Sequence, residues 1–221
     1  MNIDSNSNTD QLEHYKTRDA LLERRGDKGS LVDADLSFLD LRSLDLSGLN
    51  LSGALLSGSD LTDANLQNCQ LDSIFVQDAI MDRVCFKGAG ISHGHFQNVS
   101  LNAADFSGAD LSGANLFLCR MRNARLNDIS LIGTQMLACD LHNAHFENAN
   151  MEGATLRDSE LEGSRFISCN LRGVDLRKTN LILAEFSSVQ TEGALYYGRA
   201  PWSGVSLDED WEKKIPTFDG E

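Results

Sequence analysis

The chain repeats an apolar residue at every fifth position. From Leu31 to Phe186 this pattern continues for 32 consecutive positions without an exception; Thr191 breaks it and Tyr196 rejoins it. A period of five fits neither the 3.6-residue period of a helix nor the two-residue period of a strand. Internal repetition, rather than a set of amphipathic helices or strands, therefore determines the fold.

Each five-residue unit contains sites with different requirements. We call the recurring apolar residue the centre of its unit. The residue two positions before a centre is mostly small, and 12 of the 18 glycines lie two positions after one. This pattern predicts a bulky inward site, a small inward site and a turn in every unit. The small sites include Ala34, Ala54, Ala64, Ala104, Ala109, Ala114, Ala144, Ala149 and Ala154.

The phenylalanines indicate how many units form one coil. Phe86, Phe106, Phe146, Phe166 and Phe186 are separated only by multiples of 20 residues, and Phe96 is the only other phenylalanine at a centre. Four units per coil would stack these rings in one column, which Leu46, Leu66 and Leu126 would complete. Residues 31–190 then form eight coils, with a partial ninth to about Gly198.

The sequence "GADLSGANL", residues 108–116, resembles the A-[DN]-L-x-x pattern of pentapeptide repeat proteins. The resemblance covers about residues 31–198. It implies an all-β solenoid, namely a right-handed quadrilateral parallel β-helix.

The ends of such a stack need covering, because an open coil exposes unpaired backbone groups. Residues 10–30 are predicted to form an N-terminal capping helix, over 10–25, and a linker, preceded by a disordered N-terminus at 1–9. Residues 31–198 form the predicted β-helix. Residues 199–221 form a C-terminal tail, for which two roles stay open: a cap on the last coil or a dimer contact.

The formal net charge of −14 argues against direct nucleic-acid binding, which relies on clusters of lysine and arginine. Residues 31–82 contain nine acids against Arg42 alone, whereas residues 83–190 contain 11 acids against 10 bases. The acidity is therefore concentrated at one end of the predicted rod. The nine acids form a candidate partner-binding acidic face: Asp33, Asp35, Asp40, Asp45, Asp60, Asp63, Asp72, Asp78 and Asp82.

Apolar residues at outward sites give a second candidate surface. Leu55 and Phe75 are one coil apart at the position before the centre, and Phe117, Leu118 and Leu137 fall close together around the fifth and sixth coils. Each group is a candidate partner-binding apolar patch, although single exposed apolar residues are common on proteins.

The cysteines and histidines do not indicate chemistry. Cys69, Cys119, Cys139 and Cys169 occupy small inward sites, where a thiol behaves as a slightly larger alanine, and Cys85 lies nearer the surface. The spacing of Cys119 and Cys139 allows a disulfide, but their parallel directions do not favour one. The pairs His93 with His95 and His142 with His145 occupy outer sites without an obvious set of converging ligands. We therefore expect no enzyme activity, no cofactor and no metal.

The N-terminus shows no signal peptide, and no apolar segment reaches the roughly 18 residues that a membrane span needs. We expect a cytoplasmic protein without membrane association. The family resemblance implies an acidic rod that resembles B-form DNA and binds DNA gyrase or topoisomerase IV, protecting the enzyme from inhibitors. The alternatives are a rigid scaffold or regulatory adaptor that binds another protein, or a secreted effector domain. A homodimer stays possible, although the tail lacks a long apolar helix for an end-to-end contact.

Overall fold

The computed structural model describes Leu21, residues 31–197 and Pro201 of the 221-residue chain. Leu21 is helical and fully buried, but the rest of the predicted capping helix lies outside the described residues. The predicted disordered N-terminus and the C-terminal tail, apart from Pro201, lie outside them as well. These three assignments stay predictions.

Residues 31–197 form a parallel β-solenoid, as the family resemblance implied. Seven strands of three residues each form two parallel sheets. The first sheet contains β1 (Phe75–Gln77), β2 (His95–Gln97), β3 (Asn115–Phe117) and β4 (Gln135–Leu137); the second contains β5 (His145–Glu147), β6 (Arg165–Ile167) and β7 (Glu185–Ser187). All pairs are parallel, and paired residues are 20 positions apart, for example Val76 with Phe96.

Isolated bridges extend this pairing into four columns, which define four faces of the rod. Face 1 contains the column from Asn50 to Gln190, face 2 from Asp35 to Leu195, face 3 from Asp40 to Asn180, and face 4 from Asp45 to Glu185. Strands β1–β4 lie on face 2 and β5–β7 on face 4. The column on face 2 takes eight steps of 20 residues, so the predicted four-unit coil is confirmed.

The turn predicted two positions after each centre is present at every corner. All 33 residues at this site between Asp33 and Gly193 have positive φ, and 11 of them are glycine. At most corners the carbonyl of the centre accepts a hydrogen bond from the amide three residues later, as from Ala34 to Leu31 at 3.2 Å. Positive φ at the third residue together with this bond is the pattern of a type II turn. Glycine recurs here because it adopts positive φ without steric cost.

The acid or amide before the centre has a structural role of its own. Its side chain accepts a hydrogen bond from the backbone amide two residues later, as Asp35 does from Ser37 at 3.0 Å and Asn50 does from Ser52 at 3.0 Å. This local bond satisfies an amide that the coil-to-coil pairing leaves free. This hydrogen bond accounts for aspartate at this site without any binding partner. Asparagine makes the same bond, so the two residues differ here only in charge.

The centres fill the interior of the rod. Every centre from Leu31 to Leu181 is buried, and most small sites are buried beside them. The predicted phenylalanine column forms on face 4: Phe86 stacks on Phe106 at 4.8 Å between ring centroids, and Phe146, Phe166 and Phe186 stack in series at 4.7 and 4.8 Å. These spacings give the rise of one coil directly.

Candidate protein-binding surfaces

The nine acids of the first coils do not share one face. They lie on all four sides of the rod. Asp72 is on face 1, Asp35 on face 2, Asp40, Asp60 and Asp82 on face 3, and Asp45 on face 4, while Asp33, Asp63 and Asp78 occupy corners. We call these nine residues the acidic collar. A partner on any one side meets only part of it.

Two arginines neutralise part of the collar. Arg42 lies 2.6 Å from Asp40 and 3.7 Å from Asp60. Arg83, from the next coil, contacts both carboxylate oxygens of Asp63 at 2.7 and 2.8 Å. Hydrogen bonding to Arg83 lowers the pKa of Asp63 from its usual value. Face 3 and its corner with face 4 carry four of the nine acids, and these two arginines reduce the net charge of that side from −4 to −2.

Neutral groups bind other collar acids. Asp78 accepts from Asn98 at 2.7 Å, and Asp82 accepts from Ser100 at 2.7 Å and from the Asn102 amide at 2.9 Å. These bonds fix the carboxylates in position without removing their charge. These collar carboxylates are therefore held in fixed positions, although only Asp40 and Asp60 occupy the same site on successive coils.

Beyond the collar, acids and bases pair between successive coils. Examples are Arg122 with Asp140 at 2.5 Å, Arg165 with Glu185 at 2.9 Å and Arg172 with Glu192 at 2.9 Å. Residues 31–82 carry nine acids and one base, a net charge of −8, and residues 83–190 carry 11 acids and 10 bases, a net charge of −1. The negative charge of the rod is therefore concentrated at its N-terminal end.

The apolar candidates come together on one face. Leu55, Phe75, Phe117 and Leu137 all belong to face 2, and we call these four residues the apolar band. Phe75 and Phe117 are 40% and 41% exposed. Leu118, also 45% exposed, lies at the adjoining corner with positive φ. The two patches predicted separately are thus one surface.

A depression of about 280 Å³ lies within the band. Phe75, Phe117 and Leu137 line it together with polar residues of strands β2 and β3, namely His95, Gln97 and Asn115. The β1–β4 sheet holds these side chains in register, because residues on either side of each buried centre point outward. A depression lined by apolar side chains and a few polar groups is typical of a binding surface.

Sequence reasoning missed Phe38. This residue is 80% exposed at the corner between faces 2 and 3, with φ of 62°. Its ring lies against Gly58, where a Cβ atom would approach ring carbons to 2.6 Å. A bulky aromatic at a site that favours glycine, asparagine or aspartate was the available signal. Phe38 places an aromatic ring within the acidic collar.

The buried cysteines occupy the predicted small inward sites and are all free thiols. Their sulfurs donate to backbone carbonyls of the preceding coil, as Cys69 does to Leu46 at 3.0 Å and Cys139 to Leu116 at 3.3 Å. Burial raises the pKa of Cys69 to about 11. Ser159 makes the corresponding bond to Met136 at 2.9 Å, so these thiols act as structural donors.

His142 belongs to a polar cluster on face 3. Its Nδ1 lies 2.5 Å from Asp140, and its Nε2 lies 3.7 Å from Glu162. Burial opposes ionisation of Asp140, but hydrogen bonds from Arg122 and His142 outweigh it and hold the pKa of that carboxyl below its usual value. Among residues 31–197, no group of three or more histidine, cysteine, aspartate or glutamate side chains is arranged to hold a metal ion.

The described part of the chain contains no helix long and apolar enough to span a bilayer.

Family models match this chain over most of the solenoid. The model for pentapeptide repeats, with eight copies, matches residues 29–58, 40–78, 79–117 and 119–158, and the model for a pentapeptide repeat region matches residues 139–209. The chain belongs to the pentapeptide repeat family. No curated protein matches its sequence.

The chain is similar to several solved structures. The fluoroquinolone resistance protein QnrB1, in a trypsin-treated form, is 18% identical, with a TM-score of 0.47 over 76% of this chain and 83% of that one. HetL, which is involved in regulating heterocyst differentiation in the cyanobacterium Nostoc sp. strain PCC 7120, is 22% identical, with a TM-score of 0.38 over 87% of this chain and all of HetL.

Proposed function

We propose that this protein is a non-catalytic, cytoplasmic protein-binding rod, whose acidic collar docks on a basic protein surface that otherwise binds DNA. A type II topoisomerase, DNA gyrase or topoisomerase IV, is the partner to test first. In this proposal the rod occupies the DNA-binding surface and modulates the enzyme or protects it from inhibitors.

The observation that carries the proposal is the charge density of the collar. Residues 31–82 span about 2.6 coils, or roughly 12 Å at about 4.8 Å per coil. Their net charge is −8, or −7 when Arg83 of the next coil, which pairs with Asp63, is included. Duplex DNA carries one negative charge per roughly 1.7 Å, which gives about seven charges over the same length. The collar also surrounds the rod, as phosphates surround a duplex. Rigid backbone pairing fixes these charges before binding.

Substitution of aspartate by asparagine tests this charge without disturbing the turns. The chain itself uses asparagine at equivalent sites, where Asn50 and Asn65 make the same bond to the amide two residues later. The collar variant changes Asp35, Asp45, Asp60 and Asp78 to asparagine. The matched control removes the same number of charges from later coils, at Asp105, Asp110, Asp128 and Asp158.

The measurement is binding to DNA gyrase, together with supercoiling in the presence and absence of a quinolone. We expect the collar variant to bind at least about fivefold more weakly, since four exposed charge pairs contribute roughly 1–4 kcal/mol together. The control should bind as the unmodified protein does. No effect of micromolar protein on supercoiling or on drug inhibition would exclude gyrase as the partner. Equal losses in both variants would show that the location of the charge is unimportant.

The apolar band supports a second candidate function, a rigid scaffold or adaptor that holds a partner on face 2. Leu55 and Phe75, on adjacent coils, form the part of the band nearest the collar. Phe75→Asp should abolish binding of a partner that uses this surface, whereas Ile80→Asp should leave binding unchanged. Ile80 is similarly exposed but lies on face 3. Crosslinking to a purified candidate partner would compare the two variants.

A further inference from the structure

We infer that face 2 binds a basic amphipathic helix of the partner protein, which lies parallel to the rod axis between Phe38 and Leu137. This docking mode rests on the proposed protein-binding function, because it specifies which side of the acidic collar is used and which kind of partner segment covers it. Three observations carry it: the overlap of acids with outward apolar side chains, the conformation of Phe38, and the spacing of the coils.

Acidic and apolar side chains overlap on face 2 at the N-terminal end of the rod. On this face and its corner with face 3, the first three coils carry the outward apolar residues Phe38, Leu55 and Phe75. Asp35 belongs to the same unit as Phe38, and Asp78 belongs to the same unit as Phe75. Between residues 35 and 98, the units of face 2 contain no lysine or arginine. Apolar side chains bordered by acids fit a partner surface that has apolar residues between arginines or lysines.

The conformation of Phe38 indicates an external contact for its ring. Its φ of 62° lies in the left-handed region, which is unfavourable for phenylalanine, and its side chain is mostly exposed. Gly58 of the next coil leaves room for the ring, since a Cβ atom there would approach the ring carbons to 2.6 Å. Strained residues concentrate at functional sites, and exposed aromatic rings are common anchors of protein interfaces. Phe38 is therefore an anchor for the partner at the border of the collar.

The spacing of the coils favours a helix over an extended strand. Successive coils are 4.8 Å apart, as the stacked rings of Phe86 and Phe106 show. Residues on one side of a helix recur at about 5.4 Å per turn, whereas residues on one side of a strand recur at about 6.6–6.8 Å. Over the five coil steps from Phe38 to Leu137, a helix departs from the coil spacing by about 3 Å and a strand by about 10 Å. A helix of about 16–18 residues therefore places one side chain over each coil.

The depression on face 2 accepts the side chain that such a helix presents to the fourth coil. Its volume of about 280 Å³ is below the roughly 300–1,000 Å³ of sites for drug-sized ligands, so it suits one large side chain. Phe75, Phe117 and Leu137 line it with apolar surface, and Gln97 and Asn115 line it with hydrogen-bonding groups. Tryptophan and tyrosine match this lining, because each combines an apolar ring with a polar group.

Face 2 changes its charge beyond Leu137. Its next two coils carry three bases against two acids, namely Arg157, Arg177 and Lys178 against Asp158 and Asp175. A basic helix is attracted by the collar at one end of face 2 and repelled at the other. The helix is therefore confined to the part of face 2 between Phe38 and Leu137.

A synthetic peptide serves as the probe. It contains about 18 residues, with one apolar residue per helical turn, a tryptophan in the fourth turn and arginine or lysine at the flanking positions. Two control peptides have the same composition: one distributes the apolar residues around the helix, and the other alternates them as in a strand. Fluorescence anisotropy of a fluorescein label measures binding to the full-length protein. We expect the amphipathic peptide to bind at least about tenfold more tightly than either control.

Matched variants test whether the peptide binds on face 2. Phe38→Asn and Phe75→Ser should each weaken its binding at least about fivefold, because each removes an outward aromatic ring. Leu183→Asn and Ile80→Ser are the controls. Leu183 has positive φ like Phe38, Ile80 is exposed like Phe75, and neither lies on face 2. Both controls should bind the peptide as the unmodified protein does, and circular dichroism verifies that each variant remains folded.

Several results would overturn this docking mode. Equal affinity for all three peptides would show that charge alone accounts for binding, and tighter binding of the alternating peptide would assign face 2 to an extended segment. Equal losses in Phe75→Ser and Ile80→Ser would place the contact on another side of the rod. Self-association that Phe75→Ser abolishes would assign face 2 to a second copy of the chain.

Binding of DNA gyrase, measured on the same variants, separates this docking mode from the proposed function. Gyrase binding that Phe38→Asn and Phe75→Ser leave unchanged, together with equal affinity for the three peptides, would overturn the helix on face 2 and leave the acidic collar as the docking surface. Tight binding of the amphipathic peptide without any binding of gyrase would support the helix on face 2 and exclude gyrase as the partner.

Discussion

At the scale of single residues, the turn site, two positions after each centre, limits which residue types a unit accommodates without backbone strain. Among the residues that the structure describes, twenty-two other than glycine adopt positive φ. Asparagine and aspartate accept this conformation more readily than other residues do, because their short polar side chains bond locally. Phe38 and Leu183 gain no such compensation, and both are largely exposed, at 80% and 64%.

Phe38→Asn should therefore stabilise the protein. We expect the free energy of unfolding to rise by about 1 kcal/mol, since a left-handed conformation costs roughly 1–2 kcal/mol in most residues. Leu183→Asn, at a site with φ of 56°, should act in the same direction. Chemical denaturation would measure both. Destabilisation by Phe38→Asn alone would mean that the contact of its ring with Gly58 outweighs the backbone strain.

At the scale of the five-residue element, the side chain before the centre connects the turn to the charge of the surface. Asp175 accepts from the Arg177 amide at 3.1 Å and also pairs with the Arg177 guanidinium. Hydrogen bonding to Arg177 lowers the pKa of Asp175, against the opposing effect of burial. The carboxylate that accepts the local backbone bond therefore also makes the element sensitive to acid, through its pairing with the guanidinium.

Asp175→Asn should make the free energy of unfolding fall less steeply as the pH is lowered. A carboxyl whose pKa is lowered on folding contributes stability above its unfolded pKa of about 3.9, and this contribution is lost as the pH falls through the lowered folded pKa. Asparagine keeps the backbone bond but does not titrate. Unfolding free energies measured from neutral pH to about pH 2 would test this, with Arg177→Gln expected to reduce the slope similarly. Superimposable curves for the unmodified protein and Asp175→Asn would contradict it.

At the scale of the whole molecule, stability is shared between neighbouring coils. A solenoid coil contacts only the coils above and below it, so the end coils have fewer contacts than the central ones. The centres stay buried up to Leu181, whereas Phe186 and Tyr196 are partly exposed in the last described coils. Opening is therefore expected to begin at this end.

Thiol labelling under native conditions would follow that opening. Cys85, which is partly exposed, should react first. Among the buried thiols, Cys169 lies nearest the described C-terminal end, and it should react faster than Cys119 in the centre of the rod. Peptide mapping after timed labelling would measure the order. Equal rates at Cys119 and Cys169 would indicate that the rod opens only as one cooperative unit.

The sequence by itself determined the solenoid, the four-unit coil and the phenylalanine column. Each follows from a period in the chain, because parallel pairing places residues 20 apart beside each other. It also located the acids and the apolar candidates along the rod. Only the tertiary structure decided their distribution around it, since the acids surround the axis whereas Leu55, Phe75, Phe117 and Leu137 share face 2. The physical reason is that two things together set the direction in which a side chain points from the rod axis. One is the site of the residue within its five-residue unit, and the other is the position of that unit within the coil. The strain at Phe38 and the unsatisfied Arg157 likewise depend on backbone conformation and packing, which the repeat does not encode.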